Sequence, residues 1–274
     1  MAKKEFDDGK SMESSKSLLL QLKNVFELDD IKTDGGVHTK GDVVGYKNGI
    51  ALPMSIKFSN QKNTQVHLPT LKSFARSTGM PLDIRDALEK WLGVSNQLQF
   101  ESWLNGNPAT PFEWKYKRLC ANRIPEWKNV IDWFNTNNKK IAELLILAMR
   151  NQTPAKYLVW VYKKKYVYKV IDTQKLIEWI ESDCKWVTGK RDGGTTIRCE
   201  NMKGKPIFHL QMKGSGGIGD EYNHSPQFHI YTNWPSNSVV HTGTIEPLET
   251  TPIESSIFFN FGPSEESNLD VGKN

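Results

Sequence analysis

Apolar residues recur at helical spacing near the start of the chain, where Leu18, Leu19, Leu22, Val25 and Phe26 predict an amphipathic helix over Ser17–Leu28. The pattern then shortens. "DVVGY" and "IALPMSIKF" are short apolar runs around "KNG", and Asn48-Gly49 is a strong signal for a two-residue hairpin turn. Polar "SNQKN" ends the second run. Helical spacing returns over residues 68–77 and 82–94, the latter with Ile84, Leu88 and Trp91 on one face, and again over 126–134 and 140–149. Past residue 155, "KYLVWVYKKKYVYKVID" predicts a second hairpin, rich in valine and aromatic residues. "TQKLIEWIESD" predicts a helix capped by Thr173, "TTIRCEN" and "PIFHLQMKG" a third hairpin about "MKGK", and "QFHIYTNW" a further strand. After His241 the residues turn rich in Ser, Thr, Pro and Glu, the composition of a partly ordered tail. This order predicts an α/β fold with a central mixed β-sheet flanked by helices, and further hairpins in the C-terminal half. The expected organisation is a helical part with the first hairpin over 1–150, a hairpin-rich part over 151–240, either separate or continuous with the first, and an acidic, partly ordered tail over 241–274.

Composition narrows the function classes. The 274 residues carry a net charge of +5. No run approaches the ~20 apolar residues of a membrane span. The start, "MAKKEFDDGKSMESSK", has no apolar signal core, which points away from secretion. Cys120, Cys184 and Cys199 are odd in number and share no metal-like spacing, as expected in a reducing cytoplasm. Charge is uneven: residues 111–170 hold 13 Lys/Arg against 4 Asp/Glu, whereas residues 241–274 hold 6 acids and one lysine. A basic middle is the footprint of a polyanion binder. "PFEWKYKRLCANRIPEWKNVIDWF" sets Trp114, Tyr116, Trp127 and Trp133 among Lys115, Lys117, Arg118, Arg123 and Lys128, which favours bases and phosphates over core packing. No phosphate-binding Lys-Ser/Thr loop is present, so ATP is not expected, and "GGIG" lacks the strand-to-helix context of a dinucleotide site.

The chemistry-bearing segment is "TKGDVVGYKNGIALPMSIKFSNQ". Folding at Asn48-Gly49 returns Lys57 alongside Asp42. Alternation puts Ser55 and Lys57 on one side of the strand and Met54 and Ile56 on the other, buried side. A carboxylate that holds a divalent metal, a lysine that orients water and a backbone carbonyl such as that of Ile56 are parts of a phosphodiester-cleaving site. An aspartate opening one strand and an x-lysine triplet ending the next resemble the metal site of PD-(D/E)xK nucleases, most of all type II restriction endonucleases; the resemblance covers residues 34–74. It implies a restriction-endonuclease-like sheet, Mg2+ as cofactor and double-stranded DNA as substrate, cut at a specific sequence by a homodimer. The family places Asp or Glu two positions before the lysine, where this chain has Ser55. Some members take that carboxylate from elsewhere, and Glu27 is the donor named here, with Asp29 or Asp34 behind it.

A second hairpin competes for the active centre. It carries the triplet Gln211-Met212-Lys213 with Glu200 or Asp192 before it, but it lacks an aspartate in the place of Asp42, and its lysine enters a glycine loop. Phosphate or base contacts suit it better, and Lys163, Lys164, Lys165, Arg191, Arg198, Gln211, Lys213, Asn223 and His224 are the expected DNA-contacting residues. Asp220, Glu221, His224 and His229 have poor spacing for a metal cluster. The rival readings are a non-catalytic DNA-binding protein and a structure-specific or RNA nuclease.

Overall fold

A computed structural model describes residues 16–33, 43–59, 63–67, 71–94, 96–147, 155–162, 165–189, 194–212 and 226–245. In chain order the elements are α1 (16–26), β1 (Asp30–Thr33), β2 (Val43–Lys47), β3 (Ile50–Ser59) and β4 (Asn63–His67). Six helices follow: α2 (Leu71–Thr78), α3 (Leu82–Leu92), α4 (Gln97–Leu104), α5 (Pro111–Tyr116), α6 (Trp127–Thr136) and α7 (Asn138–Leu147). The remainder is β5 (Tyr157–Tyr162), β6 (Val167–Asp172), α8 (Thr173–Asp183), β7 (Cys184–Thr188), β8 (Ile197–Asn201), β9 (Pro206–Met212), β10 (Pro226–Tyr231) and β11 (Val239–Thr244). Among the described residues, no helix is long and apolar enough to cross a membrane.

The protein is α/β. Its central sheet is mixed, in the order β1-β2-β3-β5-β6-β11, with β3 and β5 parallel and every other pair antiparallel. A second, antiparallel sheet runs β4-β10-β9-β8-β7. On one face of the central sheet, Leu18 and Leu22 of α1 pack with Met54, Val159, Val161, Tyr168 and Val170. On the other face Leu158, Trp160 and Ile171 join a larger cluster, which takes in α2, α3, α4, α6, α7, α8 and the inner side of the second sheet through Trp186, Phe208 and Phe228. The central sheet draws strands from both sides of residue 150, and β11 carries it to Thr244, so residues 241–244 are sheet rather than the start of a tail.

Local signals explain most elements. Asn48 and Gly49 both have positive φ, 51° and 75°, the backbone of a two-residue turn whose twist suits paired strands. At α5, Thr110 and Glu113 form a reciprocal capping box with Pro111 at the first helical position. Asp172 rather than Thr173 caps α8, accepting from the Lys175 amide at 3.1 Å, while the Thr173 hydroxyl donates to the Ala155 carbonyl at 2.8 Å. "NTQVH", polar residues that the sequence pattern places only ahead of the next helix, forms β4 and pairs antiparallel with β10.

Two interior polar groups tie the layers together. Asn138, buried at the start of α7, donates to the carbonyls of Ile180 at 2.6 Å and Cys184 at 3.1 Å, and accepts from the Trp186 indole at 2.9 Å. It therefore joins α7, α8 and β7 at one point. Glu113 is fully buried, and its carboxylate accepts from the amides of Thr110 and Cys120 and from the Arg123 guanidinium at 2.9 Å. Burial penalises its charged form most strongly, yet the two amides, the Thr110 side chain and Arg123 together outweigh that penalty and hold the carboxyl below its ordinary range.

Replacing Asn138 by Ala strands two buried carbonyls and an indole N–H, and we expect a loss of about 2–4 kcal/mol in chemical denaturation; a loss under ~0.5 kcal/mol contradicts this role. Glu113 has a folded pKa below its unfolded one, so its stabilisation is present above the ordinary value of 4.5 and is lost as pH falls through the folded value. Glu113→Gln should cost roughly 3–5 kcal/mol near neutrality, and the gap to wild type should narrow in denaturation series run below pH 4.5. A gap that widens in acid sinks the assignment.

Candidate active site on the central strand

The β2–β3 hairpin sets the register of the expected site. Lys47 pairs with Ile50 beside the turn, and the ladder runs to Val43 opposite Met54. Along β3 the faces alternate as the sequence predicts. Met54 is buried in the α1 cluster, with Leu52 and Ile56 packed against it. Ser55, 1% exposed, and Ser59 are buried, and Lys57 is half-buried, on the opposite face of the strand. Ile56 pairs with Val159 in the parallel ladder, so the carbonyl named as a metal ligand belongs to a strand flanked on both sides.

The register also assigns neighbours that the sequence pattern missed. Lys57 is the Cα partner of Trp160, and Trp160 of Lys169. Paired residues share a face, so one row across three strands reads Lys57, Trp160, Lys169, with the lysine Cα atoms roughly 10 Å apart at the ordinary strand spacing. Lys169 is half-buried, and Trp160 is completely buried with its indole edge-on to Trp234 at 5.3 Å. The signal for Lys169 was present in "VYKVID", a lone cation among apolar residues, but only the parallel pairing of β5 with β3 relates it to Lys57.

Glu27 does not join this row. It follows α1 in a left-handed turn, φ 53°, and its carboxylate bonds Lys47 at 2.9 Å. That partner sits at the hairpin tip opposite Ile50, five positions before Ser55 and so roughly 17 Å away along the strand. Its side chain is 82% exposed, and the Lys47 ammonium, by hydrogen bond and charge, lowers its pKa. The expectation that Glu27 supplies the missing carboxylate is therefore corrected: the end of α1 delivers it to the turn, not to Lys57. Asp29 is also held at the turn, accepting from the Asn48 amide at 2.6 Å. Asp34 and Asp42 lie outside the described residues. Among the described residues no group of three or more His, Cys, Asp or Glu is placed to hold a metal ion.

Of the expected DNA-contacting residues, Lys163, Lys164, Arg191, Lys213, Asn223 and His224 lie outside the described residues, as do Asp192, Asp220 and Glu221 of the competing readings and the side chain of Gln211. Lys165 is exposed at the β5–β6 tip, next to Tyr166. Arg198 lies on β8, ion-paired with Glu200 at 2.8 Å. Its Cα partner is His209, which in turn pairs with His229 of β10. Burial first, then the charges of His229 and Arg198, pull the His209 pKa down to about 4, so its imidazole is neutral at physiological pH. Its Nδ1 lies 3.2 Å from the Tyr231 hydroxyl.

The basic and aromatic stretch over 111–134 behaves differently from its sequence reading. Trp127 is buried against Trp91, and its indole donates to the Thr188 hydroxyl at 2.8 Å. Trp133 packs edge-on against Phe74 and Phe134, and Trp114 packs on Phe100. Arg118 is buried over the Phe112 ring at 4.6 Å, and Arg123 serves Glu113. Trp127 is core, and Tyr116 and Trp133 pack half-buried against it, because helix periodicity turns part of the run inward. Only Trp114 stays markedly exposed among the four aromatics named.

No family model matches the chain, and no curated protein matches it. Among solved structures, the chain is similar to restriction endonuclease MspI in complex with its cognate DNA, with 11% identity, a TM-score of 0.36, and 78% of this chain and 77% of that chain covered.

Proposed function

We propose that the protein is a Mg2+-dependent endonuclease that hydrolyses phosphodiester bonds in double-stranded DNA at a specific sequence, in the manner of type II restriction enzymes, as a cytoplasmic homodimer. The observation that carries this reading is the two-faced β3. Its apolar face packs on α1, while Ser55 and Lys57 leave from the other face, Lys57 in a row with Trp160 and Lys169. Asp42 directly precedes Val43, the Cα partner of Met54, in the sequence, and that adjacency supports assigning it to this site.

In this reading the Lys57 ammonium neutralises a phosphate oxygen and orients the attacking water, and Ser55 lines the site. Asp42 and the Ile56 carbonyl would hold the Mg2+, which polarises the phosphate when bound. Lys169 adds a second cation for the phosphate backbone. Lys163, Lys164, Lys165, Arg191, Arg198, Gln211, Lys213, Asn223 and His224 would grip phosphates and base edges. Arg198 must share or release Glu200 to do so. The position of Glu27 at the hairpin tip favours a second reading, a protein that binds DNA without cutting it.

The test incubates long, unmodified DNA with wild type, Asp42→Ala, Lys57→Ala and Lys213→Ala, each with Mg2+ and with chelator. Discrete fragments are expected from wild type with Mg2+ only. Lys57→Ala and Asp42→Ala should slow cutting by at least about 100-fold, in the range of a lost acid–base or water-orienting group, with Lys213→Ala still cutting. Cutting lost only in Lys213→Ala moves the centre to the second hairpin. Metal-independent retardation of uncut DNA leaves the binding protein.

A further inference from the structure

The β8–β9 turn presents an unusual chemical combination. Met202 is 80% exposed, the most exposed large hydrophobic side chain among the described residues. Lys203 and Lys205 beside it are exposed as well. The turn holding them is rigid for its size. The Asn201 side-chain oxygen accepts from the amides of Lys203 and Lys205, both at 3.0 Å. The Asn201 carbonyl accepts from the Gly204 amide at 2.8 Å, and its own amide donates to Lys205 at 3.0 Å. Gly204 takes φ +69°, which glycine adopts without strain. Glu200, the only acid in the hairpin sequence, is occupied by Arg198.

The fold gains nothing from an apolar side chain held in water at the end of a fixed turn. A polyanion with an apolar interior, reached between charged rails, would gain from it. Duplex DNA is such a partner: phosphates take the lysines, and an opened base step takes an apolar wedge, for which methionine is one of the suitable residues. The tip is also tied to the candidate site. The Asn233 amide group donates to the Pro206 carbonyl at 2.7 Å, and the next residue, Trp234, packs on Trp160, the Cα partner of Lys57.

We propose that the β8–β9 tip is a separate DNA-contacting element, in which Lys203 and Lys205 bind phosphates and Met202 wedges against a base step. This rests on the duplex-DNA reading above but not on cleavage.

The experiment uses the full chain in chelator, a fluorescein-labelled duplex for anisotropy across a salt series, and a second duplex carrying 2-aminopurine to report unstacking. The Lys203→Ser/Lys205→Ser variant should flatten the slope of log affinity against log salt by about 2, near one unit per lost phosphate contact. Met202→Ala should leave that slope in place, weaken binding on the order of tenfold, and abolish the 2-aminopurine signal that wild type produces. All three positions are exposed, and thermal unfolding of the variants should match wild type. Wild-type binding with no change in any variant overturns the tip proposal and leaves the DNA reading intact. No duplex binding by wild type overturns both. Binding to phosphatidylserine vesicles instead, with loss in the same variants, assigns the tip to a lipid surface and overturns the wedge. Binding without cleavage, by contrast, sinks only the nuclease.

Discussion

The parallel pairing of β3 with β5 constrains everything around it. Two parallel neighbours cannot be joined by a hairpin, so the chain must leave the end of β3 at Ser59 and return to the start of β5 at Tyr157. That crossover supplies β4 to the second sheet and α2–α7 to the interior. The returning chain and α8 cover the face that carries Leu158, Trp160 and Ile171, and α1 covers the other. A lysine in the middle of such a strand is costly unless its head finds charge or water. The half-buried state of Lys57, with Lys169 two strands away, follows from this covering rather than from the hairpin that first draws attention to it.

Interior polar contacts then make the two sheets one packed unit. Asn138 holds the end of α8 and the start of β7, and the indole N–H groups of Trp91 and Trp127 reach the Gly194 carbonyl and the Thr188 hydroxyl. Because these contacts are buried and satisfied, the second sheet stands in a fixed relation to the helices behind β3. The basic middle of the chain commits Trp127, Arg118 and Arg123 to interior contacts. Its charge is therefore a poorer guide to a binding face than the rows that cross the sheets.

Features set by a few neighbouring residues were legible in the sequence. The Asn48-Gly49 turn, the alternation of Ser55 and Lys57 against Met54 and Ile56, the β5–β6 and β8–β9 hairpins and the apolar stripe of α3 all follow from local geometry. Features set by distant partners were not. β4 pairs with β10 and β11 with β6, partners far away in the sequence that no local pattern names. The helix α4 buries just Phe100 and Leu104, and leaves Leu98 in water, so its stripe is too thin to read. Glu27 looked suitable by type and failed by place, since the left-handed turn after α1 sends it to Lys47. The neighbourhood of Lys169 and Lys57 depends on a register that no local pattern encodes.

The proposal that a metal binds at the β2–β3 segment can be tested without any DNA. Replacing Mg2+ by Fe2+ and adding ascorbate and peroxide generates hydroxyl radicals at the bound ion, which cut the polypeptide beside it. Mass spectrometry of the fragments should show breaks clustered near Asp42 and near residues 55–57, suppressed by excess Mg2+ and absent in Asp42→Ala. Breaks clustered instead around Gln211 and Lys213, or a pattern indifferent to Mg2+ and to Asp42→Ala, would contradict the account.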